Sequence, residues 1–343
     1  MQGQTIVFKN KPRIVATGTI AGPKECAGVV GKFVDKTLSD DTFGEDTYEK
    51  AECKMLTYAV RKAMENGGCD ERSIDALVAG DLLNQIISAS FTARDFDFPF
   101  IGVYSACATM AESMAIAATL VDGGYAKRVV AATGSHFSSA ERQYRYPLEL
   151  GTTRPPQSQW TVTGAGAALI ADMGGGNLQK SDKNGLPAIT SATFGRVVDY
   201  GITDVNNMGA AMATAAADTV LAHLRNVGRT AKDYDLIVTG DLGALGSRLM
   251  KDLLWEKGVD VEPNHVDCGE IIYKVIEDEF QGGSGAGCSA VVFNSYIYDK
   301  LKRGSLRRVL FLATGALLST VSSGQGESIP CIAHAVSVER TDL

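Results

Sequence analysis

The stretch NGGCDERSIDALVAGDL, Asn66–Leu82, aligns without a gap on NVGRTAKDYDLIVTGDL, Asn226–Leu242, at a constant offset of 160 positions. Asn66, Gly68, Asp75, Val78, Gly80, Asp81 and Leu82 are identical in the two copies. Each copy leaves a helical pattern, crosses a turn and enters a β-branched run that ends in Gly-Asp-Leu. A supersecondary unit that recurs in this way marks a duplicated architecture. Working outward, SACATMAESMAIAATL followed by RVVAATG matches GAGCSAVVFNSYIY followed by RVLFLATG, with Cys107 and Cys288 separated by 181 positions, as are Thr133 and Thr314. The change of offset implies a loop insertion. A third small-residue strand, Gly164 to Asp172, has its partner in Ile332 to Arg340.

Runs rich in β-branched residues alternate with longer small-residue helical patterns, the signature of α/β layering. Strands are expected at Ile14–Thr19, Ala76–Gly80, Val129–Thr133, Gly166–Asp172, Ala188–Thr193, Leu236–Thr239, Val309–Thr314 and Ala333–Glu339. The clearest helices are Tyr48–Met64, Ala108–Val121, Met208–Arg225, Ser247–Lys257 and Gly287–Lys302. The division that follows is an N-terminal half over 1–173, a glycine-rich connection over 174–187 and a C-terminal half over 188–343. Two βαβ-rich halves bury most surface by packing face to face, so one pseudo-symmetric globule is expected, with its ligand site where strand ends of the two halves meet.

Composition narrows the functions open to such a globule. With 343 residues, 45% hydrophobic and 21% charged, the chain can bury a sizeable core. A net charge of −7 and only short basic runs argue against a nucleic-acid or anionic-membrane surface. The start, MQGQTIVFKNKPR, has no apolar segment of a signal peptide, and no apolar stretch reaches the roughly 18 residues of a membrane span, so a soluble fold is expected. Seven widely spaced cysteines without a Cys-x-x-Cys pair suggest neither a disulfide framework nor a zinc site. No glycine pattern qualifies as a nucleotide site, and no cofactor or resident metal is expected.

The order Ser105-Ala106-Cys107-Ala108, small-residue helix, Gly123-Gly124-Tyr125-Ala126, strand, and then Thr163-Gly164-Ala165-Gly166-Ala167-Ala168 resembles the N-terminal half of the thiolase and ketoacyl synthase family. The runs GTIAGPKE, VAGDLLNQ, LVDGGYAKR, AERQYRYP, GITDVNNMG, VDCG, GGSGAGCSA and ATGALLS, in that order, are similar to a sporulation branch of the family found in spore-forming bacteria. The resemblance implies a thiolase-like fold with two pseudo-symmetric halves in an α-β-α-β-α arrangement, and a homodimer formed through the sheet edge of the N-terminal half. It also implies binding of dipicolinic acid (pyridine-2,6-dicarboxylate) during its uptake, and a peripheral place at the forespore or spore inner membrane beside other membrane proteins of its operon.

The chemistry of the acyl-transfer members is only partly represented. In them a cysteine takes the acyl group, and a histidine with a second histidine or asparagine from the C-terminal half handles the proton and polarises the carbonyl. Cys107, at a helix start where free N–H groups favour a thiolate, suits the first role. The loop Gly240-Asp241-Leu242-Gly243 holds no histidine, and Gly282-Gly283-Ser284-Gly285-Ala286-Gly287 holds neither histidine nor asparagine. Of the four histidines, His223 is expected on a helix surface, and His334 is expected to satisfy a core hydrogen bond. His136 follows a strand in the same half as Cys107 and is expected to reach the same crevice.

The sequence therefore favours a ligand pocket without a working relay, because losing one member of a catalytic unit disables the whole. Candidate contacts for a rigid dianion are Cys107, His136, Arg142, Arg145, Asn84, Gln85, Gly283 and Ser284. Two alternatives stay open: Arg142 and Arg145 pair with Glu141 and Glu149 in a surface loop, or Asn84 and Gln85 merely cap a helix. Calcium carried with the ligand fits the same reading. The competing functions are an acyltransferase or condensing enzyme that uses Cys107 with His136 or Asp241 as base, and a scaffold for membrane partners that binds no small molecule.

Overall fold

The computed structural model describes residues 1–144, 151, 154–172, 185–273 and 281–340. The N-terminal half contributes β1 (Arg13–Ala21), α1 (Tyr48–Asn66), β2 (Ala76–Gly80), α2 (Ile87–Ala93), β3 (Phe100–Gly102), α3 (Thr109–Asp122), β4 (Arg128–Ser135), α4 (Phe137–Tyr144) and β5 (Gly164–Ala171). The C-terminal half repeats the strand plan with β6 (Pro187–Thr193), β7 (Leu236–Thr239), β8 (His265–Asp267), β9 (Arg308–Ala316) and β10 (Cys331–Arg340). Its helices include α5 (Met208–Val227), α6 (Gly243–Glu256) and α7 (Ala286–Val292).

The strand order is 3-2-4-5-1 in one half and 6-10-9-7-8 in the other, mirror images about the β1–β6 junction. That junction is a single pairing, Arg13 with Ala188. In each half the three-strand wing is parallel and the two strands nearest the junction are antiparallel, as in β2–β4 against β4–β5 and in β7–β9 against β9–β10. The repeat read from Asn66 and Asn226 is thus a structural repeat.

Alternation along the strands produces the layers. Val129 and Ala131 of β4 pack inward with Phe311 and Ala313 of β9, around Met110, Met114 and Ala117 of α3 and the Cys288 helix α7. The opposite faces go outward: Val130 and Ala132 pack on Met55, Leu56 and Ala59 of α1, and Leu310 and Leu312 pack on Met212 and Ala216 of α5. The five layers expected from the sequence are therefore present, with α3 and α7 in the middle. A helix apolar all round belongs in such a place. Close approach is secured by glycine: a Cβ on Gly18 would lie 2.2 Å from the Ala59 carbonyl of α1.

Several expectations need correction. The segment 174–187 gives way to strand at Pro187, and residues 173–184 lie outside the described residues. Helix α6 begins at Gly243, four residues before the expected start at Ser247. The expected Gly287–Lys302 helix is interrupted by a π turn over Phe293–Ile297 before it resumes at Tyr298–Arg303. His223 is not a surface residue: it is fully buried, bonded to the Thr193 hydroxyl at 2.7 Å and to Tyr234 at 2.8 Å. Its neighbours Ala222 and Leu224 in α5 are buried with it.

Candidate functional site

The chain leaves edge strand β3 and reaches Cys107 through a tight turn. Ala106 has φ of 50°, a left-handed value that costs a residue with a side chain on the order of 1 kcal/mol or more. The turn sits directly on β9, where a Cβ at Gly315 would lie 2.1 Å from the Ser105 carbonyl. Cys107 is buried and lines a narrow cleft of about 370 Å³, its open mouth included, with Leu82, Glu141, Tyr144, Thr161, Met208, Ser284 and Leu318 among the walls.

The two loops that the sequence singled out meet at this cleft. Ser284 lines it, and Asp241, fully buried, stands behind it with its thiol neighbour Cys107 in hydrogen-bonding reach. Asp241 accepts from the Thr314 hydroxyl at 2.7 Å, the Gly285 amide at 3.0 Å and the Ser284 hydroxyl at 3.4 Å. Burial pushes its carboxyl up to about 6, although these donors pull the other way. The adjoining Asp267, also buried and pushed up to about 7, accepts from the Thr239 hydroxyl and from the amides of Leu242 and Gly243, which fixes the loop. On the opposite wall Glu141 takes a 2.7 Å hydrogen bond from Thr161, with Arg154 at 3.8 Å. Tyr144 of the cleft wall meets the Tyr104 hydroxyl at 3.3 Å.

The remaining candidates divide. Asn84 and Gln85 do not touch the Cys107 cleft; they line a neighbouring cleft of about 930 Å³ with Tyr104 and Leu318, and Leu318 borders both. They belong to a strained turn in which Gln85 and Ile86 both take positive φ, 58° and 47°. Gly283 lies one residue behind the lining, its carbonyl taken by Gln159 at 2.9 Å.

His136 is turned away from the cleft. Its Nε2 meets the Asp41 carbonyl at 2.8 Å, and its Nδ1 accepts from the Ser138 amide at 3.1 Å, so both ring nitrogens are spent on backbone. Burial lowers its basicity. Arg142 points outward to Glu49, not to Glu141 as one alternative had it. Arg145 lies outside the described residues. His334 is buried as expected, between Ser105 Oγ at 3.0 Å and the Gly195 amide at 3.2 Å, and burial takes it down to about 4.

Sequence reasoning named Asp241 only as a stand-in base and overlooked Thr161, Glu141 and Met208 as wall residues. The signal was in the repeat, since Asp241 is the counterpart of Asp81 and Thr314 that of Thr133. Among the described residues, no three His, Cys, Asp or Glu side chains form a group able to hold a metal ion, and no helix is long and apolar enough to cross a membrane.

Solved structures share this architecture at low sequence identity. OleA of Xanthomonas campestris, crystallised with cerulenin, superposes with a TM-score of 0.63 at 14% identity over 97% of this chain and 98% of that one. The 3-oxoacyl-[acyl-carrier-protein] synthase III of Aquifex aeolicus gives 0.57 at 13% identity over 96% and 99%. The fold is thus thiolase-like, that of the condensing enzymes.

Sequence comparison goes further. The family profile described as Stage V sporulation protein AD matches residues 2–339, and Stage V sporulation protein AD of Bacillus subtilis (strain 168) is 47% identical over 337 residues, 98% of this chain and 97% of its relative. The chain belongs to the Stage V sporulation protein AD family.

Proposed function

We propose that this protein binds dipicolinic acid in the Cys107 cleft, as the free acid or its calcium chelate, and serves its uptake into the forespore without chemical turnover. The observation that carries this reading is the pairing at the cleft of Cys107 with Asp241 and Ser284, at the two loops where acyl-transfer relatives are expected to supply imidazole and amide. A pocket kept while the relay is replaced is a binding site. Asp241 has both oxygens engaged by Thr314, Gly285 and Ser284, which makes it a brace for the cleft and a poor proton shuttle.

The lining also bears on the form of the ligand. Glu141 lines the cleft with Arg154 at 3.8 Å, and the buried Asp241 carboxyl stands behind it. A bare dicarboxylate would place two more negative charges beside the Asp241 carboxyl, with Arg154 as the nearby cation, whereas the calcium chelate carries its own neutralising ion. The chelate thus adds less negative charge to the cleft than the free acid does. Placement at the inner membrane through other membrane proteins of the stage V sporulation A operon, and pairing of two copies, complete the proposal. Strand β3 supports the pairing, because it ends the sheet with Ile101 37% exposed, an edge open to another chain.

Equilibrium dialysis against dipicolinate with and without calcium, run beside incubation with acetyl-coenzyme A and intact-mass measurement, tests the reading. Saturable binding without a mass shift is expected. An acetyl adduct on Cys107 would return the protein to the acyltransferases, and silence in both assays would leave a scaffold.

A further inference from the structure

We propose that Gln159 is a positioning residue for the cleft: its side-chain amide ties the Asp241 loop to the Ser284 loop and so sets the Asp241 carboxyl against Cys107. Its ligand consequence rests on the binding function above. Gln159 is 2% exposed, and its Nε2 donates both to the Asp241 carbonyl at 2.8 Å and to the Gly283 carbonyl at 2.9 Å. Two acceptors on one nitrogen fix the orientation of the amide, since the reverse would set oxygen against two carbonyls.

Among the described residues, the backbone hydrogen bonds beside Gln159 run to the Ser284 loop. Trp160 and Thr161 run parallel to Gly283 and Ser284, with Trp160 N–H donating to Gly282 at 2.9 Å and Val162 N–H to Ser284 at 2.9 Å. The side chain reaches the other loop, beside the direct ties from Ala244 N–H to the Gln281 carbonyl at 2.9 Å and from Gly285 N–H to Asp241 at 3.0 Å. It does so in a slot between glycines: a Cβ on Gly243 would lie 3.0 Å from Gln159 Nε2, and one on Gly209 would lie 3.4 Å from its Oε1. Asp267 holds the amides of Leu242 and Gly243 but not the Asp241 carbonyl, which Gln159 takes. Three wall elements, carrying Thr161, Asp241 and Ser284, are thus joined at one amide group.

The test compares wild type with Gln159→Met, which keeps length and lacks the donors. Affinity for dipicolinate with calcium is expected to fall about tenfold, the value of one or two buried hydrogen bonds. Alkylation of Cys107 by iodoacetamide, followed by peptide mass spectrometry, is expected to accelerate severalfold while Cys331 keeps its rate. A general loosening of the fold would move both thiols. Gln159→Glu keeps the shape and, when protonated, one donor, and is expected to fall between the two; it decides the matter if the methionine variant does not fold. Wild-type alkylation rates at Cys107 in whichever variant folds would overturn the proposal. Should wild type bind no dipicolinate, the binding function fails, and the Cys107 rates still decide the role of Gln159.

Discussion

The two Gly-Asp-Leu strand ends began as copies and now do different work. In the N-terminal half, Asp81 turns back on its own chain and accepts from the amides of Leu83 and Ala89, both at 2.7 Å, thereby holding the strained Asn84–Ile86 turn. In the C-terminal half, Asp241 reaches across to Thr314, Ser284, Gly285 and the other half's Cys107. Thr133 shows the same split, for it donates to the Gly80 carbonyl where its counterpart Thr314 serves Asp241. Duplication supplied two equivalent carboxyl groups. One is a local brace, and the other stands behind the Cys107 cleft.

The largest expected difference between the copies is steric. A Cβ on Gly80 would lie 2.0 Å from the Val103 carbonyl, because the chain running to the Cys107 turn crosses there, whereas one on Gly240 would meet nothing closer than Ala313 Cα at 3.1 Å. Gly80→Ala is expected to cost about 3 kcal/mol or more, and Gly240→Ala about 1 kcal/mol, in urea denaturation. Equal losses would break the comparison.

Proton linkage comes next. A carboxyl held at about 6 when folded, against 3.8 otherwise, contributes stability that is complete below pH 3.8 and is lost as pH rises through 6. Burial of His223, His265 and His334, each taken down to about 4, acts oppositely, removing stability as pH falls below 6.5. The clean readout is therefore Asp241→Asn relative to wild type. Between pH 4 and pH 7.5 the variant is expected to gain on the order of 2 kcal/mol relative to wild type. A pH-independent difference would show that the carboxyl is not perturbed.

The same substitution sharpens the functional side. An asparagine has one acceptor oxygen where the carboxyl has two, so either Thr314 or the Gly285–Ser284 pair loses its acceptor, and dipicolinate affinity is expected to drop about tenfold by calorimetry. The smallest effect is reserved for Arg142→Ala. That residue's ion pair with Glu49 is partly exposed, and its removal is expected to change stability by less than about 0.5 kcal/mol and to leave affinity unchanged.

What the sequence disclosed follows the range of the forces involved. The fold was legible because gapless repetition and apolar period are local signals, and β2 and β7 fall on the expected residues. The edge strands β3 and β8 were missed, since three residues carry too little alternation to register. Cys107 and Ser284 line the cleft to which their turns pointed, while His136, directly after β4, turns its ring to the Asp41 carbonyl, 95 positions away. Arg142 met Glu49 instead of a near neighbour for the same reason, a contact across 93 positions.

The most direct test of the central claim is a calorimetric titration of the full chain with dipicolinic acid, with and without calcium. Saturable binding of one ligand per chain, tighter in the presence of calcium, is the predicted result. Absence of heat in both titrations, with the protein shown to be folded, would contradict the assignment of the Cys107 cleft as a dipicolinate site.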